Sequence, residues 1–102
     1  MTICTLSPLT RTYLRERSAA GELSPVTIPT VKWTLRDFAQ FVGDTPLAQL
    51  SSRHVEEYLA SISVSRATAR QRFCQIRQFS RWLVRRGYLT VDLTADLRAP
   101  RQ

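Results

Sequence analysis

Glycine is scarce in this chain: three occur in 102 residues, and Gly21, Gly43 and Gly87 each stand where a helical pattern stops. Phosphate cradles and strained catalytic turns need glycines close together, so a dinucleotide fingerprint, a P-loop and a nucleophile elbow are excluded. Two cysteines, Cys4 and Cys74, and one histidine, His54, are too few for a disulfide framework or a metal site. Both thiols are expected to be reduced, and neither a metal nor a cofactor is expected. No apolar run approaches the ~18 residues of a membrane span, and no signal-peptide core opens the chain. The chain therefore reads as soluble and intracellular, without a membrane partner. Lysine is nearly absent too, with Lys32 alone against fourteen arginines.

What is present is concentrated in one stretch. From Ser65 to Gly87 the chain reads as a single long helix with two chemically opposed faces. At about 100° per residue, Ala69, Phe73, Ile76, Phe79 and Leu83 share one side, while Arg66, Arg70, Arg77 and Arg81 line another. Arg70 and Arg77 are thus expected to point away from the apolar stripe. Ser65 suits the N-cap and Gly87 the left-handed residue that ends a helix. Residues 66–86 hold seven arginines and no acid, whereas the rest of the chain balances eight basic against eight acidic residues. All of the +7 net charge therefore sits on this helix. Such a concentration marks where a polyanion would lie, and the guanidinium fork matches phosphate oxygens and the guanine edge better than an ammonium does. A solvated face on a basic bundle, or a codon bias toward arginine, is the plain alternative.

Three more helices are expected before it. Residues 1–5 show no periodicity and read as a flexible tail. A first helix starts with Ser7 as cap and Pro8 at the first helical position, and Leu6, Leu9, Tyr13 and Leu14 make its apolar stripe. A second repeats the start signal at Ser24 and Pro25 and runs to about Val42. In it Ile28, Val31, Leu35, Phe38 and Val42 face the core, and Lys32, Arg36 and Gln40 face away. Pro29 requires either that its regular part starts near Thr27 or that its first turn is distorted. Trp33 falls off the stripe, toward Arg36 and Gln40, where it serves a ligand or another domain, or covers a loop. After a turn-rich link over 43–49, Ser51 caps a third helix with Val55, Tyr58, Leu59 and Ile62 inward. Glu56 and Glu57 make this the acidic member, and His54 is expected to be exposed, without a catalytic or ligand role. The stretch after Gly87 leaves room for a short fifth helix near 92–97. The fold class is accordingly all-α, a compact bundle of four main helices with a core of Leu14, Leu35, Phe38, Tyr58, Leu59, Phe73, Ile76 and Leu83.

Three features coincide in order and interval: Ser24-Pro25-Val26-Thr27 leading to Leu35 and Phe38; Leu50-Ser51 leading to Val55, Tyr58 and Leu59; and Ser65-Arg66-Ala67-Thr68 leading to Phe79, Trp82, Leu83 and Gly87. Together they resemble the N-terminal core-binding domain of tyrosine recombinases, the phage-integrase family, whose fold is a SAM-like helical bundle. The resemblance covers roughly residues 6–101. It departs at Pro29 and at Asp92-Leu93, where the family usually places Asn-Pro. It implies a flexible tail over 1–5, a DNA-binding domain over 6–98, and over 99–102 the start of a linker to a catalytic domain, with Pro100-Arg101 at the junction.

The resemblance further implies half of a DNA clamp in a site-specific recombinase. A larger C-terminal domain would hold the other face of the duplex and carry the chemistry. Its arginines, lysine, histidine and nucleophilic tyrosine have no positions here, so the chain alone is not expected to be an enzyme. Tyr13, Tyr58 and Tyr88 read as packing residues, since an unactivated phenol is a poor nucleophile. Double-stranded DNA is the expected partner. Arg66, Arg70, Arg77 and Arg81 would contact phosphates and base edges, Gln71 and Gln78 adenines, with Thr27, Lys32 and Arg36 contributing from the second helix. Thr68 and Ser65 would either donate to phosphate or serve as caps. The fragment is expected to be monomeric, the parent enzyme tetrameric on DNA, and its location the cytoplasm, at the nucleoid. Two other readings remain: a helical protein-interaction module anchored by Trp33, and an RNA-binding bundle.

Overall fold

The computed structural model describes residues 5–21 and 27–97. They form α1 (Leu6–Ala19), α2 (Thr27–Val42), a 3-10 turn (Leu47–Gln49), α3 (Ser52–Ser61) and α4 (Arg66–Arg85). There is no strand among the described residues, and the four expected helices are the four observed. α2 is the central element, packed against α1, α4 and α3.

The core follows the apolar stripes. Leu6, Leu9 and Tyr13 of α1, Val31, Leu35, Phe38 and Val42 of α2, Val55 and Tyr58 of α3, and Phe73, Ile76, Phe79, Trp82 and Leu83 of α4 are all buried. Two expected core residues are corrected: Leu14 and Leu59 are only half-buried and pack on the rim. Tyr13 takes the central place on α1 instead, with its ring edge-on to Phe79 at 5.1 Å and to Trp82 at 5.3 Å. Phe38 and Tyr58 make a second edge-on pair at 5.3 Å. Each such pair contributes about 0.5–1.5 kcal/mol beyond the area it buries.

Several boundaries have identifiable causes. α4 starts because Ser65 Oγ accepts the Thr68 N–H at 3.2 Å, satisfying one of the amides that a first turn leaves unbonded. It stops at Gly87, which has φ 81°. There the Gly87 N–H donates to the Val84 carbonyl at 3.1 Å and the Tyr88 N–H to the Leu83 carbonyl at 2.9 Å, the paired bonds of a Schellman motif. α1 is corrected: Thr5, not Ser7, is its N-cap, and Ser7 lies inside the first turn, where its carbonyl accepts the Thr10 hydroxyl at 2.7 Å. Pro8 fits this shifted start because first-turn amides have no intrahelical acceptor. The same reasoning accommodates Pro29, third in a helix that starts at Thr27. The Ser24-Pro25 start signal, Cys4 and the 99–102 linker fall outside the described residues.

His54 is also corrected, being half-buried, with Nδ1 accepting the Ser51 N–H at 3.1 Å. It closes the first turn of α3 in the place a Glu or Gln takes in a capping box.

The fifth helix is not formed; residues 88–97 turn back along α4 without helix. Ser80 Oγ accepts the Leu93 N–H at 2.7 Å, and Asp92 Oδ1 accepts the N–H and the hydroxyl of Thr94 at 2.9 and 2.8 Å. The Ala95 and Leu97 N–H groups donate to the Asp92 and Thr94 carbonyls three residues back, so the segment closes as turns, and Leu93 and Thr94 are buried as a strap. Burial opposes ionisation of Asp92, but it is outweighed by hydrogen bonds from Thr94 and Ser80 and by the Arg81 charge, so its pKa lies below the ordinary carboxylate value. A lowered carboxylate pKa stabilises the fold above the ordinary value and is lost as pH falls through the folded-state value. The strap is therefore held through neutral pH and loosens only in acid.

Gly87→Ala is expected to lower stability by about 1 kcal/mol, read as a smaller urea midpoint at unchanged slope. Nothing lies within 4 Å of the place its Cβ would occupy, so the cost is torsional and not steric. An unchanged midpoint would show that the left-handed turn does not hold α4 and the strap together.

Candidate nucleic-acid interface

The solvent face of α4 is defined by what its other sides bury. With Phe73, Ile76, Phe79, Trp82 and Leu83 inward, the exposed side chains are Arg66, Ala67, Arg70, Gln71, Cys74, Gln78, Arg81 and Arg85. By helical-wheel geometry this face is rotated by about 50° from the stripe through Arg66, Arg70, Arg77 and Arg81. Arg77 therefore lies at its edge, and Arg85, which sequence reasoning left out, lies near its middle.

The arginines of α4 divide into tied and free. Arg77 is half-buried, its guanidinium 4.6 Å from the Phe73 ring centroid and Nη2 donating to the Leu97 carbonyl at 3.1 Å. The expectation that it points away from the apolar stripe is corrected: its stem and head cover a core phenylalanine and fasten the strap. Arg81 is exposed but stands 3.6 Å from Asp92, and Arg86 pairs with Glu16 of α1. Arg66, Arg70 and Arg85 have no acidic partner among the described residues. The free charge is thus toward the two ends of the helix.

Arg72 has a different role, and sequence reasoning missed it. It lies on the inner side of α4 with its side chain 12% exposed, Nη1 3.7 Å from Asp37 Oδ2 and 3.4 Å from the Tyr58 hydroxyl. Tyr58 donates to the same Asp37 oxygen at 2.7 Å. One carboxylate of α2, one phenol of α3 and one guanidinium of α4 therefore close a single polar knot. The signal was present in the sequence: Arg72 falls at a helical angle near Ala69, Ile76 and Phe79, where an arginine needs an acid on a helix packed beside it.

On α2, Thr27, Lys32, Arg36 and Gln40 are exposed. Trp33 is 54% exposed, and the arginine beside it is Arg72, whose guanidinium lies 4.2 Å from its ring centroid. It is not set by Arg36, because the partner comes from across the α2–α4 seam. Pro29, Thr30 and Trp33 of α2 and Thr68, Gln71 and Arg72 of α4 line a cleft at that seam. Thr68 is half-buried; its N–H and its Oγ1 both engage Ser65, so the cap role is filled.

An arginine-faced helix on a bundle of this order and spacing agrees with the family-model comparison, in which the phage integrase N-terminal SAM-like domain matches residues 10–89. The chain belongs to that family. Comparison with curated proteins and with solved structures returns no significant match. Within the SAM-like domain, no described helix is long and apolar enough to cross a membrane. No group of three or more His, Cys, Asp or Glu among the described residues is placed to hold a metal ion. Of the tyrosines, Tyr13 and Tyr58 are buried, and Tyr88 is partly exposed with its ring stacked on Trp82 at 5.9 Å.

The polar knot has a pH signature. Burial first, then the hydrogen bond and negative charge of Asp37, raise the Tyr58 phenol from 10.0 to about 12, with Arg72 opposing in part. A raised pKa means that the folded state holds the proton more tightly, so the stabilisation is complete below pH 10 and is lost as pH rises toward about 12. In an alkaline titration followed by tyrosinate absorbance, Tyr58 is expected to ionise above pH 10 together with unfolding, and Tyr58→Phe should remove its contribution. A Tyr58→Phe variant whose alkaline titration and unfolding match the parent's would contradict the assignment.

Proposed function

We propose that the SAM-like domain grips one face of duplex DNA at a recombination site, as half of a clamp whose other half and whose strand chemistry belong to the catalytic domain of a tyrosine recombinase. The observation that carries the proposal is the exposed α4 face, where Arg66, Arg70 and Arg85 have no acidic partner among the described residues. Family membership supplies the class of partner.

In this reading the free guanidiniums of Arg66 and Arg70 take phosphate oxygens or a guanine edge, and Gln71 and Gln78 present amides suited to adenine. Arg81 would join by exchanging Asp92 for a phosphate. Arg77 acts from the edge, holding the strap while its charge adds to the field. Thr27, Lys32 and Arg36 extend the contact from α2. Binding of this kind is driven by release of counterions from the duplex, so it weakens steeply with salt. The domain by itself would be a nucleoid-associated, monomeric binder without strand cleavage or ligation, and tetramer assembly on DNA would belong to the full recombinase.

The test is titration of a labelled duplex at several salt concentrations. Three or four phosphate contacts give a log–log slope of roughly 3 to 4 in magnitude, with micromolar or weaker affinity at physiological salt. The double variant Arg66→Ala, Arg70→Ala is expected to lower that slope by about two and leave the melting midpoint unchanged. Arg77→Ala should in addition lower stability by about 1–2 kcal/mol, because it uncovers Phe73 and frees the Leu97 carbonyl. If the double variant binds as tightly as the parent at every salt concentration, the α4 face is a solvated surface and the proposal fails. A duplex RNA bound with the same slope and greater affinity would move the assignment to RNA.

A further inference from the structure

Trp33 is a large aromatic, 54% exposed, beside a basic helix. We infer that Trp33 is an apolar DNA contact at the α2–α4 seam, and that Arg72 is the positioning residue that holds it there. The inference rests on the DNA-binding reading above and gives that interface its non-ionic centre.

An exposed indole is usually free to change rotamer, but this one is fixed from one side. The Arg72 guanidinium lies 4.2 Å from its ring centroid and is itself fixed by Asp37 and the Tyr58 hydroxyl. The carboxylate and phenol are joined at 2.7 Å, so the arginine has both its partners held in place on α2 and α3. Three helices are thus committed to holding one ring in place.

The surroundings select the occupant. Pro29 and Thr30 beside the ring are exposed and uncharged, as is Gln71, while Thr68 supplies a half-buried hydroxyl. This is a patch with one apolar plate and amide and hydroxyl edges, beside exposed Arg36 three residues on along α2, with exposed Gln71 standing between it and Arg70 on α4. Phosphates favour the arginines; the apolar plate favours the uncharged parts of the same duplex, the deoxyribose and the thymine methyl group. The patch therefore suits duplex DNA seated by its phosphates on α4, with a base edge or sugar brought against the indole.

Acrylamide, an uncharged quencher, distinguishes the two tryptophans without mutation, because Trp33 is exposed and Trp82 is 3% exposed. With binding followed in parallel by anisotropy of a labelled duplex, saturating DNA is expected to remove most of the acrylamide-accessible fluorescence. Trp33→Ala should weaken binding by roughly tenfold, the loss of one desolvated aromatic contact, with the salt slope unchanged because no ion is released at an uncharged residue. Arg72→Lys, which keeps the charge but not the planar stack, should fall in the same direction, and Trp33→Phe should recover part of the affinity. If DNA binds with its full salt slope while Trp33 stays as quenchable as in the free domain, the inference is overturned and the DNA-binding reading stands. If the duplex does not bind at low salt, both are overturned.

Discussion

A helix with seven arginines and no acid repels itself, so it exists only where an apolar stripe on its other side is paid for by burial against neighbours. Phe73, Ile76, Phe79, Trp82 and Leu83 provide that stripe, and the rest of the domain is arranged to cover it. α1 brings Tyr13 against Phe79 and Trp82, and α2 packs centrally against α1, α3 and α4. The charge is then forced outward by the same geometry that forces the rings inward. Packing and the proposed interface are two sides of one constraint.

Not all of the charge is left for a partner. Arg72 is turned inward and spent on joining three helices through Asp37 and Tyr58, Arg77 covers Phe73 and holds Leu97, and Arg86 reaches Glu16. These uses lower the repulsion along α4 and lock its position against α1, α2, α3 and the strap. They also sharpen what remains. Among the described residues Arg66, Arg70 and Arg85 have no acidic partner, and Arg81 stands 3.6 Å from Asp92, a partner that a phosphate can replace. A charge count assigns seven equivalent arginines to this helix, whereas the fold gives them three kinds of work.

Much of the fold was legible because stripes, caps and stops are local. Ser65 and Gly87 bound α4 by hydrogen-bonding capacity and by left-handed φ, properties that belong to those residues wherever they are placed. Val31, Leu35 and Phe38 repeat at the helical interval and are buried for that reason. The misreadings were also local in origin. Ser7 and Pro8 make a plausible start two residues after Thr5, the residue that serves, and Asp92 to Leu97 reads as helix where the chain closes as turns fastened to α4 through Ser80. His54 looked idle because its acceptor role depends on the geometry of the first turn of α3.

The sequence by itself determined an all-helical chain, the order of its four helices, the placing of net charge on the last of them and the family to which it belongs. Each of these depends on residues close together in the chain, or on their order. Tertiary structure alone decided which arginines are free, because that depends on acids and carbonyls far away in sequence: Asp37 for Arg72, Glu16 for Arg86, Leu97 for Arg77. It also decided that Trp33 meets Arg72 and not Arg36, since a helical wheel places neighbours on one helix and knows nothing of the helix packed beside it.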